Sequence, residues 1–158
     1  MSAAPSSVVI RSESLSAPIV ETLIRALNAE LEERYPEEGA NHFRLDPDEV
    51  GPGRGAFLSA YLGDVAVGCG AVRLIEPHVA EIKRMYVPHA WRGRGIAKQL
   101  LAALESHASL LGARRLVLET GERQPEAIAL YRRAGFEEIP RFGEYVDSPL
   151  SVCMGKDV

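Results

Sequence analysis

The chain has 158 residues, a formal net charge of −4 and 25% charged residues, values typical of a soluble globular protein. Its length predicts one domain, residues 1–158, that can bury a full core without disulfides. The net negative charge argues against a general nucleic-acid-binding protein. No stretch approaches the roughly 18 apolar residues of a membrane-spanning helix. We therefore expect neither a nucleic-acid partner nor a membrane partner.

The cysteines and the first residues indicate the cellular setting. Cys69 and Cys153 have neither the spacing of metal ligands nor the pattern of a disulfide framework. Residues 1–14 lack the apolar centre of a signal peptide. A cytoplasmic location and no bound metal are therefore expected. A catalytic cysteine is disfavoured, because no histidine lies close in sequence to either thiol to act as its base.

In chain order, the first half predicts a strand, a helix, an irregular stretch and two strands joined by a hairpin. The helix begins near Pro18, since proline suits the first helical turn, and continues with apolar residues at helical spacing. Residues 36–54 are the least regular stretch, with one helical turn near Asp46–Val50. Gly63-Asp64 marks the hairpin. The predicted strands are Val8–Arg11, Gly55–Leu62 and Asp64–Ile75.

The second half alternates strands and helices. Gly112 and Gly135 each follow a helical pattern, at the position where glycine commonly ends a helix. The predicted elements are the strand Val79–Val87, the helix Gly95–Leu111, the strand Arg115–Thr120, the helix Gln124–Ala134 and a strand pair, Phe136–Ile139 and Leu150–Met154. Three antiparallel strands followed by a strand–helix–strand crossover predict an α+β (mixed α/β) fold. Its central sheet is mixed but mostly antiparallel, with helices on both faces.

Residues 87–98 are the most informative stretch. An apolar strand stops at Pro88, a turn rich in arginine and glycine follows, and helical spacing begins at Ile96. The free N–H groups of a first helical turn attract anions, and glycine lets the backbone approach a ligand closely. The stretch lacks the Gly-Lys-Ser/Thr of a P-loop and the third glycine of a dinucleotide fingerprint. It predicts a site for a polyanionic ligand; the alternative is an ordinary turn with solvated arginines.

This loop resembles the Arg/Gln-x-x-Gly-x-Gly/Ala motif of the GNAT superfamily of N-acetyltransferases, with Arg92, Gly95 and Ala97 at the motif positions. The likeness extends from the strand segment Glu81–Val87 to Leu130-Tyr131-Arg132-Arg133-Ala134-Gly135-Phe136. The resemblance implies a GNAT-like three-layer fold whose sheet splays between the strand ending near Val87 and the strand near Leu118. It also implies that acetyl-CoA, as co-substrate, lies in that gap and donates its acetyl group to a primary amine.

The same resemblance assigns the cofactor contacts. The glycine loop would bind the pyrophosphate, Met85 and Tyr86 would line the pantetheine, and the backbone N–H of Val87 would bind the thioester carbonyl. Gln124 stands where family members commonly have an asparagine that contacts the cofactor. Glutamine keeps the amide but places it one methylene farther from the backbone. The implied cofactor-binding residues are Met85, Tyr86, Val87, Arg92, Gly93, Arg94, Gly95, Ile96, Ala97, Lys98, Gln124 and Tyr131.

Acetyl transfer to an amine needs a base for the ammonium, donors for the oxyanion and an acid for the leaving thiolate. The resemblance implies Tyr131 as the acid, with a packed core aromatic as the alternative, and Val87 as the oxyanion donor. Two carboxylates compete for the base. Glu119 ends a predicted buried strand, where desolvation makes a carboxylate a stronger base, and relatives that acetylate protein N-termini use this position. Glu81 stands where other GNAT enzymes keep their base, but it could instead pair with Lys83 or Arg84.

The acceptor is expected to be a small amine, cationic or zwitterionic, such as an amino acid or a polyamine. Residues 30–49 contain far more acidic than basic residues, which would favour a cationic acceptor if this stretch borders the site; otherwise it is solvated surface. Three alternatives stay open: an acetyltransferase of peptide or protein amines, a non-catalytic acyl-CoA-binding sensor, and a regulatory domain that kept only the scaffold. A homodimer is also open, and segment 140–151 is a candidate for the acceptor site or a dimer contact.

Overall fold

The computed structural model of the protein describes residues 7–38 and 45–158, and its strands form one seven-stranded sheet in the order β1-β2-β3-β4-β5-β7-β6. The strands are β1 (Val9–Ser12), β2 (Gly55–Leu62), β3 (Val65–Glu76), β4 (Val79–Tyr86), β5 (Arg115–Gly121), β6 (Glu137–Ile139) and β7 (Ser151–Asp157). The helices are α1 (Pro18–Arg34), α2 (Ile96–Leu110) and α3 (Pro125–Arg133), and short 3-10 turns occupy Pro36–Glu38, Pro47–Val50, His89–Trp91 and Gly143–Tyr145.

The strand pairing confirms the predicted mixed sheet. Strands β1 to β4 pair as antiparallel neighbours, β4 pairs with β5 in parallel, and β7 pairs in antiparallel fashion with both β5 and β6. Helix α2 makes the crossover between β4 and β5, as a parallel connection requires. Each predicted element forms, with small shifts at its ends.

Strands β4 and β5 separate after a short paired segment. Only Val79–Ile82 of β4 pairs with Arg115–Leu118 of β5. Beyond these residues β4 stays paired with β3 as far as Tyr86, and β5 stays paired with β7 as far as Gly121. A gap therefore opens between β4 and β5 towards their carboxyl ends, as the family resemblance implied.

A bulge interrupts β4 at the level of this gap. Lys83 pairs with Ala71 and Tyr86 pairs with Cys69, so two residues of β4, Arg84 and Met85, lie opposite one residue of β3. Arg84 has a φ of 59°, a left-handed conformation that is uncommon for a residue other than glycine.

The two faces of the sheet have separate apolar clusters. On one face Leu58 of β2 packs with Leu100 and other buried residues of α2. On the other face Phe57, the neighbour of Leu58 in sequence, packs with Val20 and Leu23 of α1. A Cβ at Gly68 would lie 2.9 Å from Cδ1 of Leu100, so glycine there lets α2 approach β3 closely. None of the helices within residues 7–38 and 45–158 is long and apolar enough to span a bilayer.

Candidate active site

A cleft of about 390 Å³ lies where β4 ends, and we name it the glycine-loop cleft. Its walls come from α1, the end of β4, the following loop, the first turn of α2, and α3. The residues that line it are Leu27, Glu30, Met85, Tyr86, Val87, Trp91, Arg92, Gly93, Gly95, Ile96, Ala97, Lys98, Gln124, Glu126, Ala127, Leu130, Tyr131 and Arg133.

Two glycines shape the loop at the start of α2. Gly93 and Gly95 have φ values of 81° and 78°, in the left-handed region that glycine adopts without strain. Gly95 is the N-cap of α2 and has no side chain to cap the helix, while the first-turn residues Ile96, Ala97 and Lys98 line the cleft. A Cβ at either glycine would meet no described atom within 4 Å. The N-terminus of a helix of this length, opening into a cleft, suits a pyrophosphate.

All the predicted cofactor-binding residues except Arg94 line this cleft. The guanidinium of Arg94 instead lies over the Trp91 ring, 4.8 Å from its centroid. Placement in the cleft is compatible with ligand contact, and the individual roles remain predictions.

Arg92 connects the loop to its surroundings. Its Nε donates a 2.8 Å hydrogen bond to the carbonyl of Val87, and its Nη2 donates a 2.7 Å hydrogen bond to Oε1 of Glu30 on α1. Glu30 is also 3.6 Å from Arg34, which lies 2.7 Å from Glu126 at the start of α3. Part of the positive charge expected at the loop is therefore balanced within the protein, and a chain of ion pairs joins α1 to both sides of the cleft.

A smaller cavity of about 80 Å³, which we name the inner pocket, adjoins the cleft in the gap between β4 and β5. Its lining residues are Leu27, Leu31, Ile82, Lys83, Arg84, Met85, Glu119, Thr120, Gln124, Ala127, Tyr131 and Tyr145. Leu27, Met85, Gln124, Ala127 and Tyr131 line both cavities. The two cavities therefore meet at these side chains.

Tyr131 lies at this boundary. Only 6% of the residue is exposed, and its ring contacts Phe136 edge to face, with the centroids 5.8 Å apart. Burial, together with the nearby Glu119 carboxylate, raises the pKa of Tyr131 above its ordinary value. The hydroxyl therefore keeps its proton at neutral pH, which a general acid requires.

The two candidate bases have different surroundings. Glu119 is partly buried on β5, lines the inner pocket and accepts a 2.5 Å hydrogen bond from Oγ of Ser151. Glu81 is 1% exposed and is not among the residues that line either cavity. Its Oε1 accepts from Arg73 on β3 at 2.9 Å, and its Oε2 accepts from the Tyr145 hydroxyl at 2.7 Å. The sequence suggested Lys83 or Arg84 as ion-pair partners if Glu81 is not the base. In the structure its ion-pair partner is instead Arg73, on the neighbouring strand β3.

Two further predicted residues occupy the walls. Val87 follows the last residue of β4, is 8% exposed and lines the cleft, with its carbonyl held by Arg92. The buried hydroxyl of Tyr35 accepts the backbone N–H of Arg123, the neighbour of Gln124 in sequence, at 2.9 Å. Gln124 itself lines both cavities.

Sequence reasoning missed several residues that the fold brings to these cavities. Glu30, Trp91 and Glu126 line the cleft, and Lys83 and Arg84 line the inner pocket together with Tyr145. The available signals were indirect: Lys83 and Arg84, like Glu81, are charged residues in a strand with an otherwise largely apolar pattern, and Glu30 begins the acidic stretch.

Known proteins with similar sequences or folds are consistent with this geometry. The chain is 38% identical over 153 residues to an IAA acetyltransferase of Azospirillum brasilense, covering 96% of this chain and 98% of that one. It is 34% identical over 143 residues to the uncharacterized N-acetyltransferase YjgM of Escherichia coli K12, with 86% of each chain covered. A Klebsiella pneumoniae crystal structure assigned to the acyl-CoA N-acyltransferases matches with a TM-score of 0.79 and 34% identity, over 95% of this chain and 97% of that one.

A fourth match shares the fold at low sequence identity. It is a GNAT family acetyltransferase from Elizabethkingia anophelis whose structure contains bound acetyl-CoA, with a TM-score of 0.69 and 18% identity over 98% of this chain and 100% of that one. The sequence profile of the acetyltransferase (GNAT) family matches residues 20–136. From this profile match and the relatives that align along nearly its whole length, the chain belongs to the GNAT family and is an acyltransferase of the N-acetyltransferase type.

Proposed function

We propose that this protein moves the acetyl group of acetyl-CoA to the primary amine of a small molecule, by direct attack of the amine on the thioester. The observation that carries the proposal is the meeting of the two cavities at Met85 and Tyr131. A cofactor arm lying in the glycine-loop cleft would end at this boundary. An amine in the inner pocket would then face the thioester, so that the reacting atoms are held together.

The geometry of the cleft itself supports acetyl-CoA as its ligand. The left-handed glycines Gly93 and Gly95 and the first turn of α2 would hold the pyrophosphate, with Lys98 adding positive charge. Met85 and Tyr86 would line the pantetheine arm. When bound, the cofactor supplies the acetyl thioester; the remaining chemistry is proton transfer and charge stabilisation by the protein.

Three groups of this chain would serve the reaction. Glu119 accepts a proton from the ammonium, and the neutral nitrogen forms the new C–N bond while the C–S bond breaks. The backbone N–H of Val87 stabilises the negative charge that develops on the carbonyl oxygen. Tyr131 donates its proton to the departing thiolate and recovers one as the nitrogen loses its second proton. In sum, an ammonium and a thioester give an amide, a thiol and one released proton.

The inner pocket supports a small acceptor. Its volume is about 80 Å³, and its wall includes the buried residues Lys83, Thr120 and Tyr145. A cavity of this size with a polar buried wall suits a compact group with defined polar contacts.

An acceptor screen tests the proposal. Free thiol release from acetyl-CoA is followed with amino acids, polyamines, other small amines and short peptides, with amine-free reactions as the control. We expect turnover with one class of small amine. Release with peptides alone would instead assign the protein to peptide or protein acetylation. Tight binding of acetyl-CoA without release on any amine would assign it to the non-catalytic sensors.

A further inference from the structure

We propose that the acceptor carries a carboxylate as well as its amine, and is therefore a zwitterion of the amino-acid type. Lys83 and Arg84 would bind the carboxylate, and Glu119 would face the amine. This inference rests on the proposed function and specifies its substrate class. It depends on charges that the fold collects in the inner pocket.

The bulge in β4 places two consecutive cations at one cavity. Successive residues of a regular strand point to opposite faces of the sheet. Lys83 pairs with Ala71, which belongs to the cluster on the α1 face, and Arg84 donates a 2.8 Å hydrogen bond to Asn28 of α1. Met85 then returns to the α2 face, where it packs against the other cluster. The extra residue thus allows both Lys83 and Arg84 to line the inner pocket.

This arrangement is costly for the protein. A left-handed conformation at a residue other than glycine costs roughly 1–3 kcal/mol and is found preferentially at functional sites. Arg84 adopts it with a φ of 59°. Lys83 is only 5% exposed, and burial lowers its pKa, against the opposing effects of Glu81 and Glu144. Its Nζ lies 3.9 Å from Oε1 of Glu144, whose side chain is 47% exposed. A bound carboxylate would add a buried counter-charge beside the two cations.

The inner pocket is also polarised. Among its lining residues the cations Lys83 and Arg84 come from β4, whereas the single carboxylate, Glu119, comes from β5. Other charges lie behind the wall, where Glu81 is paired with Arg73 and hydrogen bonded to Tyr145. A molecule with one positive and one negative end matches the lining, and its ammonium would face the carboxylate proposed as the base.

A purely cationic acceptor fits less well. A second ammonium of a polyamine would meet the like charges of Lys83 and Arg84, which disfavours binding. Within the described residues the acidic stretch does not offset this repulsion, since none of its carboxylates lines the inner pocket and Glu30, Glu37 and Glu49 are each ion paired with arginines. Residues 39–44 of that stretch lie outside the described residues. The lining of the inner pocket therefore favours a zwitterionic acceptor, while selection of a cationic amine by the acidic stretch stays a prediction.

Matched acceptors test the inference on the unmodified protein. Several L-amino acids are each compared with the corresponding amino-acid amide and with the decarboxylated amine. We expect kcat/KM to be higher for the amino acid by about 30-fold or more, the typical effect of removing one partner of a buried charge pair. A preference for the amides or for the decarboxylated amines would overturn the inference and leave the acetyltransferase proposal intact. Absence of turnover with every amine would overturn both.

Two variants test whether Lys83 and Arg84 cause the preference for acceptors that carry a carboxylate. Lys83→Met keeps the length of the apolar stem, and Arg84→Gln keeps a hydrogen-bond donor. Each should raise the KM for amino acids and bring the ratio of kcat/KM between amino acid and amide close to one, which general damage to the fold would not do. Arg25→Gln, an exposed change on α1, is the matched loss of charge and should leave the ratio unchanged. An unchanged ratio in both pocket variants would overturn the assignment of these residues.

Discussion

The hydroxyl of Tyr145 donates a 2.7 Å hydrogen bond to Oε2 of Glu81, and so ties the segment after β6 to the interior of β4. Both residues are buried, and Oε1 of the same carboxylate is bound by Arg73. Tyr145 also lines the inner pocket, so segment 140–151 contributes to its wall. Glu81 thereby supports a pocket residue without lining the pocket itself.

The first prediction concerns stability. Glu81→Gln leaves the half-buried Arg73 with Glu49 as its remaining carboxylate, and should lower the free energy of unfolding by about 3 kcal/mol, the lower range for breaking a buried ion pair. Chemical denaturation measures the difference. Glu138→Gln, an exposed change on β6, should have little effect. Equal stability of the Glu81 variant and the wild type would show that the pair contributes nothing.

The second prediction separates the two candidate bases. Glu119→Gln should lower kcat/KM for the amine by roughly 10²–10⁴, the usual effect of losing a general base, with the protein still folded. Glu81→Gln, assayed where it is fully folded, should lose much less activity. The opposite order of the two losses would make Glu81 the base and Glu119 a pocket wall.

The third prediction concerns the acid. Tyr131→Phe should lower kcat by roughly 10²–10⁴ with little change in the KM for acetyl-CoA. Because burial raises the pKa of Tyr131, its hydroxyl stays protonated through neutral and mildly alkaline pH. The wild-type rate should therefore show no decline due to this group below about pH 10, the ordinary tyrosine pKa. A variant with full kcat, measured where chemistry limits turnover, would return Tyr131 to a packing role.

The fourth prediction uses the two ends of α2. Gly95→Glu puts a carboxylate into the cleft and should raise the KM for acetyl-CoA steeply, because the charge repels the phosphates. Gly112→Glu is the matched control, since Gly112 has a φ of 88° at the other end of the helix. Both variants carry similar left-handed strain, roughly 1–2 kcal/mol. Equal KM values in the two variants would exclude the loop as the phosphate site.

The fifth prediction concerns alkaline stability. Burial raises the pKa of the Cys69 thiol to about 12. In the unfolded chain a thiol loses its proton near pH 8.5, so between that pH and about 12 the unfolded state binds fewer protons than the folded state. The free energy of unfolding should fall as pH rises through this window. Cys69→Ala should make the fall in the free energy of unfolding between about pH 8.5 and 10 less steep. Denaturation curves of both proteins at several pH values measure this slope, and an equal slope in the two would contradict the prediction.

Local patterns were enough to predict most of the fold. The apolar spacing of α2, its start after Gly95 and its end at Gly112 are set by neighbouring residues. The crossover from β4 through α2 to β5 could also be predicted, because the handedness rule and the short connections allow few alternative topologies. The glycine loop and Tyr131 were found because a motif fixes their spacing, and both lie at the cleft.

Contacts between distant segments could not be predicted. The pairing of Glu81 with Arg73 depends on the register of β3 against β4, and local spacing suggested Lys83 or Arg84 instead. The ion pair between Arg92 and Glu30 depends on where α1 packs, and it reduces the charge expected at the loop. The contact of Arg94 with Trp91 is local, but it depends on the conformation of the turn, which the spacing of the motif does not specify.

The bulge at Arg84 has a consequence for how the length of β4 can vary. If Arg84 were deleted, Lys83, Met85 and Tyr86 would alternate regularly opposite Ala71, Gly70 and Cys69, each on the face that it occupies now. The shortened strand would lose its strained residue and could continue its pairing with β5 beyond Ile82, which would narrow the gap that contains the inner pocket. The deletion would therefore be expected to stabilise the sheet while narrowing the proposed acceptor site, a trade of stability against activity.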